Sequence, residues 1–136
     1  MAALSSYLKD NIIDHFLRNQ AFTPPTTVYL ALFTAVTGLA DDNPTAEVSG
    51  GDYARLECAL DAASGGVTAN TSDLTSPIAT ASWGTITHVA LVDHLTNTTW
   101  GTNVHVLAYA ALDTPREITA TDLLKIDAGD LDLTLT

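Results

Sequence analysis

Histidines are the side chains of this sequence with the clearest capacity for chemistry. His88 and His105 lie on separate predicted strands, and His94 follows Asp93 at the end of the first of these strands. These four side chains could surround a zinc ion, which needs three or four nitrogen, oxygen or sulfur ligands within tetrahedral reach. The sequence contains neither HxH nor HxxxH, so no local spacing pairs two imidazoles. We interpret the histidines as strand-face or surface residues and predict no metal and no cofactor.

Acidic side chains in the loops are candidate calcium ligands. Residues 41–43 are Asp-Asp-Asn, and Asp127, Asp130 and Asp132 cluster near the C-terminus. The twelve-residue calcium loop, with its glycine and terminal glutamate, is absent. We interpret the C-terminal aspartates as a solvated turn and strand face, and a calcium ion in one of the acidic loops stays an open alternative.

Motifs for nucleophilic catalysis are also missing. There is no GxSxG elbow, and Ser64 precedes two glycines, as is common in turns. Cys58 falls on the apolar face of the alternating segment 53–61, which predicts a buried, unreactive thiol. No glycine-rich phosphate loop occurs. We therefore predict that the protein is not an enzyme, and we assign no catalytic residue.

Composition limits the classes of fold and partner. The 136 residues are 46% hydrophobic, enough for one core, and we predict a single domain over residues 1–136. Sixteen acidic and five basic residues give a net charge of -11, which disfavours binding to nucleic acid or to an anionic membrane. Synthesis in the cytoplasm is expected, because the N-terminus does not have the pattern of a secretory signal and no segment is long and apolar enough to span a membrane.

The elements that position these residues are one helix followed by strands. Leu4, Leu8, Ile12 and Phe16 recur every fourth residue, which predicts a helix over residues 4–18. The chain after Pro24-Pro25 alternates between short apolar runs and turns, and residues 38–51 are predicted to form a long exposed loop. We predict a mainly β protein, a jelly-roll-like β-sandwich of about eight short strands over residues 26–136 with one N-terminal α-helix. The predicted strands lie within residues 27–34, 53–61, 86–93, 100–111, 116–119, 123–127 and 131–135, and residues 66–70 and 74–79 are short strands or extended loops.

Five segments resemble one family of proteins. They are the helix LSSYLKDNIIDHFLRNQAF, the strand VYLALFTA, the turn SGGDYAR, the strand ASWGTITHV and the closing AGDL. In this order they are similar to the small virion proteins of tailed bacteriophages, and the similarity runs from about residue 4 to residue 135. One departure is residues 96–112, TNTTWGTNVHVLAYAAL, which lack the glycine-rich turn and LLYxGxL strand that family members often carry.

The resemblance implies a structural role in a virion. Members of the family are often labelled tail fibre proteins, and some resemble capsid cement or decoration proteins. We expect a cement protein that binds the outer surface of the head and clamps neighbouring major capsid subunits, because the chain has no shaft-like repeat. The alternative is a tail fibre or tail-tip component that takes part in host attachment. A carbohydrate-binding sandwich is a further alternative, and its candidate aromatic residues are Tyr53, Trp83, Trp100 and Tyr109.

The predicted helix is the candidate assembly interface. Its apolar stripe of Leu4, Leu8, Ile12 and Phe16 could pack across the sheet, bind a second copy, or do both across an oligomer interface. The expected partners are the major capsid protein and the chain itself, most simply as a dimer. The loop at residues 38–51 is a second candidate contact surface, or only a spacer.

Overall fold

An antiparallel five-stranded sheet is the largest element of the computed structural model, which describes residues 2–135. In chain order the elements are β1 (Ala3–Leu4), α1 (Ser6–Leu17), β2 (Tyr29–Phe33), β3 (Leu56–Glu57), β4 (Val67–Ala69), β5 (Leu74–Thr75), β6 (Gly84–Val92), β7 (Val106–Ile118), β8 (Lys125–Ile126) and β9 (Asp132–Thr134). The strand order in the five-stranded sheet is β1-β7-β6-β2-β3. The remaining four strands form two antiparallel ribbons, β4-β9 and β5-β8.

The central strands β2 and β6 are covered on both faces. Leu30 and Leu32 of β2 belong to one hydrophobic cluster, and Ala31 and Phe33 belong to another. All four side chains are buried, because successive residues of a strand point to opposite faces and both faces are packed. The strand predicted within residues 27–34 is therefore confirmed as β2, and both of its faces are covered.

The two ribbons pack over the first face of the sheet. Leu74 of β5 and Leu124, just before β8, are buried in the cluster that contains Leu30, and Ile126 and Leu131 pack against it. The other face is covered by loops, with Leu39, Val104 and the half-buried Trp100 as the main contributors. The ribbons and sheet enclose the larger core in the manner of a sandwich.

The predicted jelly roll is not confirmed. A jelly roll has two packed sheets of four strands, whereas the strands of residues 2–135 form one sheet of five and two ribbons. The mainly β class and the N-terminal helix are confirmed. The predicted strand at residues 53–61 shortens to β3, because the flanking residues are held by side-chain hydrogen bonds and isolated bridges.

Strand β7 merges two predicted strands. Ile86 pairs with Arg116 and His88 pairs with Ala111, so four residues of β7 stand opposite a single residue of β6. One of the four is Pro115, which has no N–H for a ladder bond and restricts the residue before it. The strand also begins at Val106 rather than residue 100, because residues 101–103 form a turn.

The helix is shorter than predicted at its start. Leu4 lies in β1 and pairs with Ala108 of β7, and the helix begins at Ser6 after the N-cap Ser5. The Ser5 hydroxyl accepts a hydrogen bond from the Leu8 N–H at 3.2 Å, so it satisfies a donor that the first helical turn leaves unpaired. The prediction of one helical stripe that includes Leu4 is therefore wrong at its first member. No helix within residues 2–135 combines the length and hydrophobicity of a membrane span.

Candidate functional site

The side chains that were considered as zinc ligands, His88, Asp93, His94 and His105, do not converge. Asp93 and His105 are adjacent, but Asp93 Oδ1 accepts the backbone N–H of His105, at 2.7 Å, rather than facing its ring. Within residues 2–135, no three His, Cys, Asp or Glu side chains are placed to hold a metal ion. The Nδ1 atom of each imidazole has another partner: Gln20 O for His15, Thr87 Oγ1 for His88, the Thr96 and Asn97 N–H groups for His94, and Asp42 for His105.

Asp42 belongs to a joint between the helix, the long loop and the sheet. Its Oδ1 accepts the Val106 N–H at 2.6 Å, and its Oδ2 lies 2.5 Å from His105 Nδ1. The imidazole of His105 stacks on the Tyr7 ring, with ring centroids 3.8 Å apart and planes 5° from parallel. Burial, together with the nearby carboxylates of Asp93 and Asp42, raises the pKa of Tyr7. Asp42 is buried, so the prediction that the loop at residues 38–51 is exposed is wrong here, and Asp42 already has structural partners where calcium was considered.

Ser5 ties the helix start to the same region. Its hydroxyl donates to Val106 O, and its N–H donates to Leu107 O at 3.0 Å. The Ser6 N–H donates to Ala40 O at 2.8 Å, which joins the helix to the long loop. Ser5 is fully buried, so these hydrogen bonds are shielded from competing water. The start of α1 is therefore fixed relative to both β7 and the loop.

Arg55 organises a second buried cluster. Its guanidinium pairs with Glu47 through two hydrogen bonds, Nε to Oε1 at 2.7 Å and Nη2 to Oε2 at 2.8 Å. Nη1 donates to His94 O at 2.6 Å, and the guanidinium carbon lies 5.0 Å from the centre of the Trp100 ring. This bidentate, stacked geometry suits Arg and not Lys. The pair binds the long loop to the segment before β3 and to the loop after β6.

Tyr53 links this cluster to the sheet. Its hydroxyl donates to Glu47 Oε1 at 2.9 Å and accepts the Leu32 N–H at 3.0 Å. Burial, with Glu47 as the next largest cause, raises the pKa of Tyr53 far above its ordinary value. The phenol therefore stays protonated in the folded protein and acts as a structural donor.

The segments SGGDYAR and ASWGTITHV meet in space. Trp83 Nε1 donates to Gly51 O at 2.9 Å, and the Trp83 ring packs edge-on against Tyr53 at 5.6 Å between centroids. Gly51 has φ +56, and a Cβ there would lie 2.9 Å from both Ala81 O and Trp83 Nε1. This position therefore requires glycine for its conformation and for space.

Asn70 holds the AGDL segment. Its Oδ1 accepts the N–H groups of Gly129 and Leu131 at 3.1 and 2.9 Å, and its Nδ2 donates to Asp127 O at 3.0 Å and to Ser72 O at 2.8 Å. Asn70 is buried, so its full set of partners offsets the cost of removing an amide from water. The five segments that carry the family resemblance therefore contain, or contact, side chains whose hydrogen bonds and packing stabilise the fold.

A family model covers nearly the whole chain, including all five of these segments. Residues 3–134 match the model of a family described as podophage GP4 fiber I protein gp80. The chain belongs to this gp80 family. It is therefore a structural protein of a phage virion, as the sequence resemblance implied. No curated protein sequence matches the chain.

The predicted assembly face of this gp80-family protein is divided by the fold. Leu4 is half-buried in β1, and Leu8 packs against the larger core cluster. Ile12 is half-buried, whereas Phe16 is 76% exposed. The exposed apolar face of α1 instead combines Phe16 with Ile13 and Leu17.

The aromatic residues considered for carbohydrate binding in the gp80-family chain lie mostly inside the fold. Trp83 is 5% exposed and belongs to the core. Tyr53, Trp100 and Tyr109 are half-buried and pack against the core clusters. These four rings therefore form no exposed stacking platform of the kind a sugar needs.

Cys58 lies in the core of the gp80-family protein as predicted. Its side chain is 2% exposed, and burial raises the pKa of its thiol. A thiol without an electropositive, accessible setting is a poor nucleophile. Ser64 lies in the predicted turn, where its N–H and carbonyl bond with Val67.

Proposed function

We propose that this protein is a globular structural subunit of the fibre apparatus of a podophage virion. The observation that carries the proposal is the family match over residues 3–134, since that family is described by a fibre protein. This reverses the order of the two roles expected from the sequence, in which capsid cement came first and the tail fibre was the alternative.

The shape of the chain restricts the kind of fibre role. The 12-residue helix is about 18 Å long at 1.5 Å per residue, and the longest strand has 13 residues and an irregular pairing with β6 at residues 112–115. Neither element provides an extended shaft. As a fibre component the protein would therefore act as a compact unit that attaches to other virion proteins or to copies of itself.

The surface offers separate apolar contacts for such attachment. Besides the face on α1, Ile78 and Leu123 are exposed on neighbouring segments, since the Ala79 N–H bonds to Asp122 O. Val67 and Leu135 are exposed together beside the β4-β9 ribbon. Several small patches on one compact unit favour contact with more than one neighbour, because each interface needs its own apolar centre.

Capsid cement remains the second candidate, with the outer head surface as its location and the major capsid protein as its partner. The same separated patches would allow one copy to bridge two coat subunits and stabilise the assembled shell, because the protein would bind that state alone. The net charge of -11 favours an outer position over one facing packaged DNA. Under either role we assign no catalytic residue, no nucleic acid and no membrane as partner.

Immunogold electron microscopy of phage particles would separate the two roles. We expect an antibody against the folded protein to label the tail region, at the fibres or their attachment points. Antibody preincubated with soluble protein is the control, and it should remove the label. Label spread over the head would refute the fibre proposal in favour of cement, and absence of the protein from purified particles by mass spectrometry would refute both.

A further inference from the structure

His94 holds the loop after β6 through a single ring nitrogen. The backbone N–H groups of Thr96 and Asn97 lie 3.2 and 3.0 Å from His94 Nδ1. A backbone N–H can only donate, so Nδ1 is the acceptor of both hydrogen bonds and carries no proton. The neutral ring therefore keeps its proton on Nε2, because the hydrogen bonds at one ring nitrogen determine which nitrogen is protonated.

Two other imidazoles have the opposite arrangement. His15 Nδ1 lies 2.9 Å from Gln20 O, and His105 Nδ1 lies 2.5 Å from Asp42 Oδ2. Both partners accept, so Nδ1 donates in each pair, and a second proton on the ring would leave both hydrogen bonds in place. Of these three rings, only that of His94 loses its hydrogen bonds when it becomes an imidazolium.

The ends of this loop are anchored independently of the His94 ring. The carbonyl oxygen of His94 accepts from Arg55 Nη1 at 2.6 Å, and the Trp100 ring lies 5.0 Å from the same guanidinium. The Thr99 carbonyl oxygen accepts the Asn103 N–H at 3.0 Å. The intervening residues 95–98, which we call the flap, therefore span two fixed points.

The flap forms one wall of a cleft with a volume of about 390 Å³. Leu95, Thr96 and Thr98 line this wall, and the opposite wall is the segment that carries Arg55. Leu95 is 43% exposed, so its packing against the rest of the protein is incomplete. Among residues 2–135, the N–H groups of the flap have no acceptor other than the His94 ring.

The charged and titratable groups on the elements around His94 are all engaged elsewhere. Asp93, at the end of β6, accepts the His105 N–H through Oδ1 at 2.7 Å. Glu47 of the long loop is paired with Arg55. None of these groups accepts from the flap, so the N–H groups of the flap would bond to water once His94 no longer accepts them.

We propose that His94 makes the flap acid-sensitive. With the ring neutral, Nδ1 holds the Thr96 and Asn97 N–H groups and the flap is closed. A proton taken up at Nδ1 turns this acceptor into a donor that faces two N–H groups, so both hydrogen bonds break and the flap opens between its anchors. Histidine side chains change charge between about pH 5 and 8, so the opening accompanies mild acidification.

Nuclear magnetic resonance of the isotope-labelled full chain tests the protonation state first. At about pH 8, the ring signals of His94 should show a protonated Nε2 and an unprotonated Nδ1. Those of His15, whose Nδ1 donates to Gln20 O, should show the reverse. His15 is thus an internal control in the same sample.

Amide exchange with water, corrected for the intrinsic rate at each pH, then follows the flap. Between about pH 8 and 5, the protection of the Thr96 and Asn97 amides should fall about fivefold, as expected when each amide loses one ordinary hydrogen bond. The Gly101 amide should keep its protection, because it bonds to Val104 O and has no titratable partner.

Two substitutions at the exposed His94 separate its ring from the other titratable groups. The His94→Asn variant supplies a side-chain oxygen that can accept N–H groups two and three residues further on and does not titrate. Its flap amides should therefore stay protected at every pH in this range. The His94→Ala variant removes the acceptor, so its flap amides should be unprotected throughout.

Three results would overturn the proposal. A proton on His94 Nδ1 at about pH 8 would mean that the ring does not accept from the flap. Protection of the wild-type flap that does not change with pH would remove the acid response. Equal pH dependence in the wild type and the His94→Asn variant would assign the response to another group, such as Asp93 or His105. The flap belongs to the isolated chain, so none of these results bears on the fibre proposal.

Discussion

Replacing Glu47 with alanine tests whether the buried pair with Arg55 holds the long loop on the sheet. The variant removes both charge-assisted hydrogen bonds to the guanidinium and the acceptor of the Tyr53 hydroxyl. Arg55 would keep its bond to His94 O and its contact with Trp100. A buried guanidinium would thus be left without a counter-charge.

The expected cost follows from the depth of the pair. The side chains of Arg55 and Glu47 are 3% and 13% exposed, so water cannot replace the lost carboxylate without local opening. Breaking a buried ion pair by removal of one partner costs about 3–5 kcal/mol. The entropy of unfolding of a chain this long is roughly 0.3 kcal/mol/K, so the Tm should fall by about 10–17 °C.

Thermal and urea unfolding followed by circular dichroism would measure this change. Lys125→Ala is the matched control, since it removes the exposed ion pairs to Asp73 and Asp127 and should leave the Tm nearly unchanged. Glu47→Leu combined with Arg55→Met should be clearly more stable than the sum of the single changes predicts, because it leaves no unpaired charge. A decrease of less than about 1 kcal/mol in the free energy of unfolding of the Glu47→Ala variant would refute the reasoning.

Three further predictions concern the same core. Burial beside Glu47 raises the pKa of Tyr53, so above about pH 10 the unfolded chain loses the phenol proton before the folded protein does. The free energy of unfolding should therefore decline above this pH. Urea unfolding at several pH values should show a smaller decline for the Tyr53→Phe variant. Gly51→Ala should cost about 2–4 kcal/mol through strain and overlap with Ala81 O, against about 1 kcal/mol for Gly50→Ala, where a Cβ meets open space. Burial raises the pKa of the Cys58 thiol, so a disulfide reagent should modify the native protein far more slowly than the urea-unfolded chain; rapid modification of native protein would contradict this.

Strands with strong local signals were predictable from the sequence. The apolar run that became β2 and the segment that became β6 needed only composition and length, because both faces of a central strand are buried. The number of sheets was not predictable, because ribbon and sheet strands have similar local patterns. Strand β7 was predicted in two pieces, residues 100–111 and 116–119, and only the pairing with β6 shows that the ladder resumes at Arg116.

Buried charges were the feature that local patterns concealed. Asp42 and Glu47 lie in a segment rich in turn residues, which predicts exposure, yet both are held by partners outside the turns in which they lie. Their partners are His105 and Arg55, at sequence separations of 63 and 8 residues. Periodicity reports which side chains are apolar, but it carries no information on which charged residues find a counter-charge in the fold.

The helix shows why the predicted interface and the exposed face differ. Leu8 and Leu17 are nine residues apart, and at about 100° per residue they lie on opposite sides of α1. A sheet edge can cover one side of a helix, and here it covers the side of Tyr7 and Leu8. Apolar residues on the other side are then surplus to the fold. Periodicity alone therefore does not distinguish the side of α1 that packs on the core from the side that stays exposed, because both sides carry apolar residues.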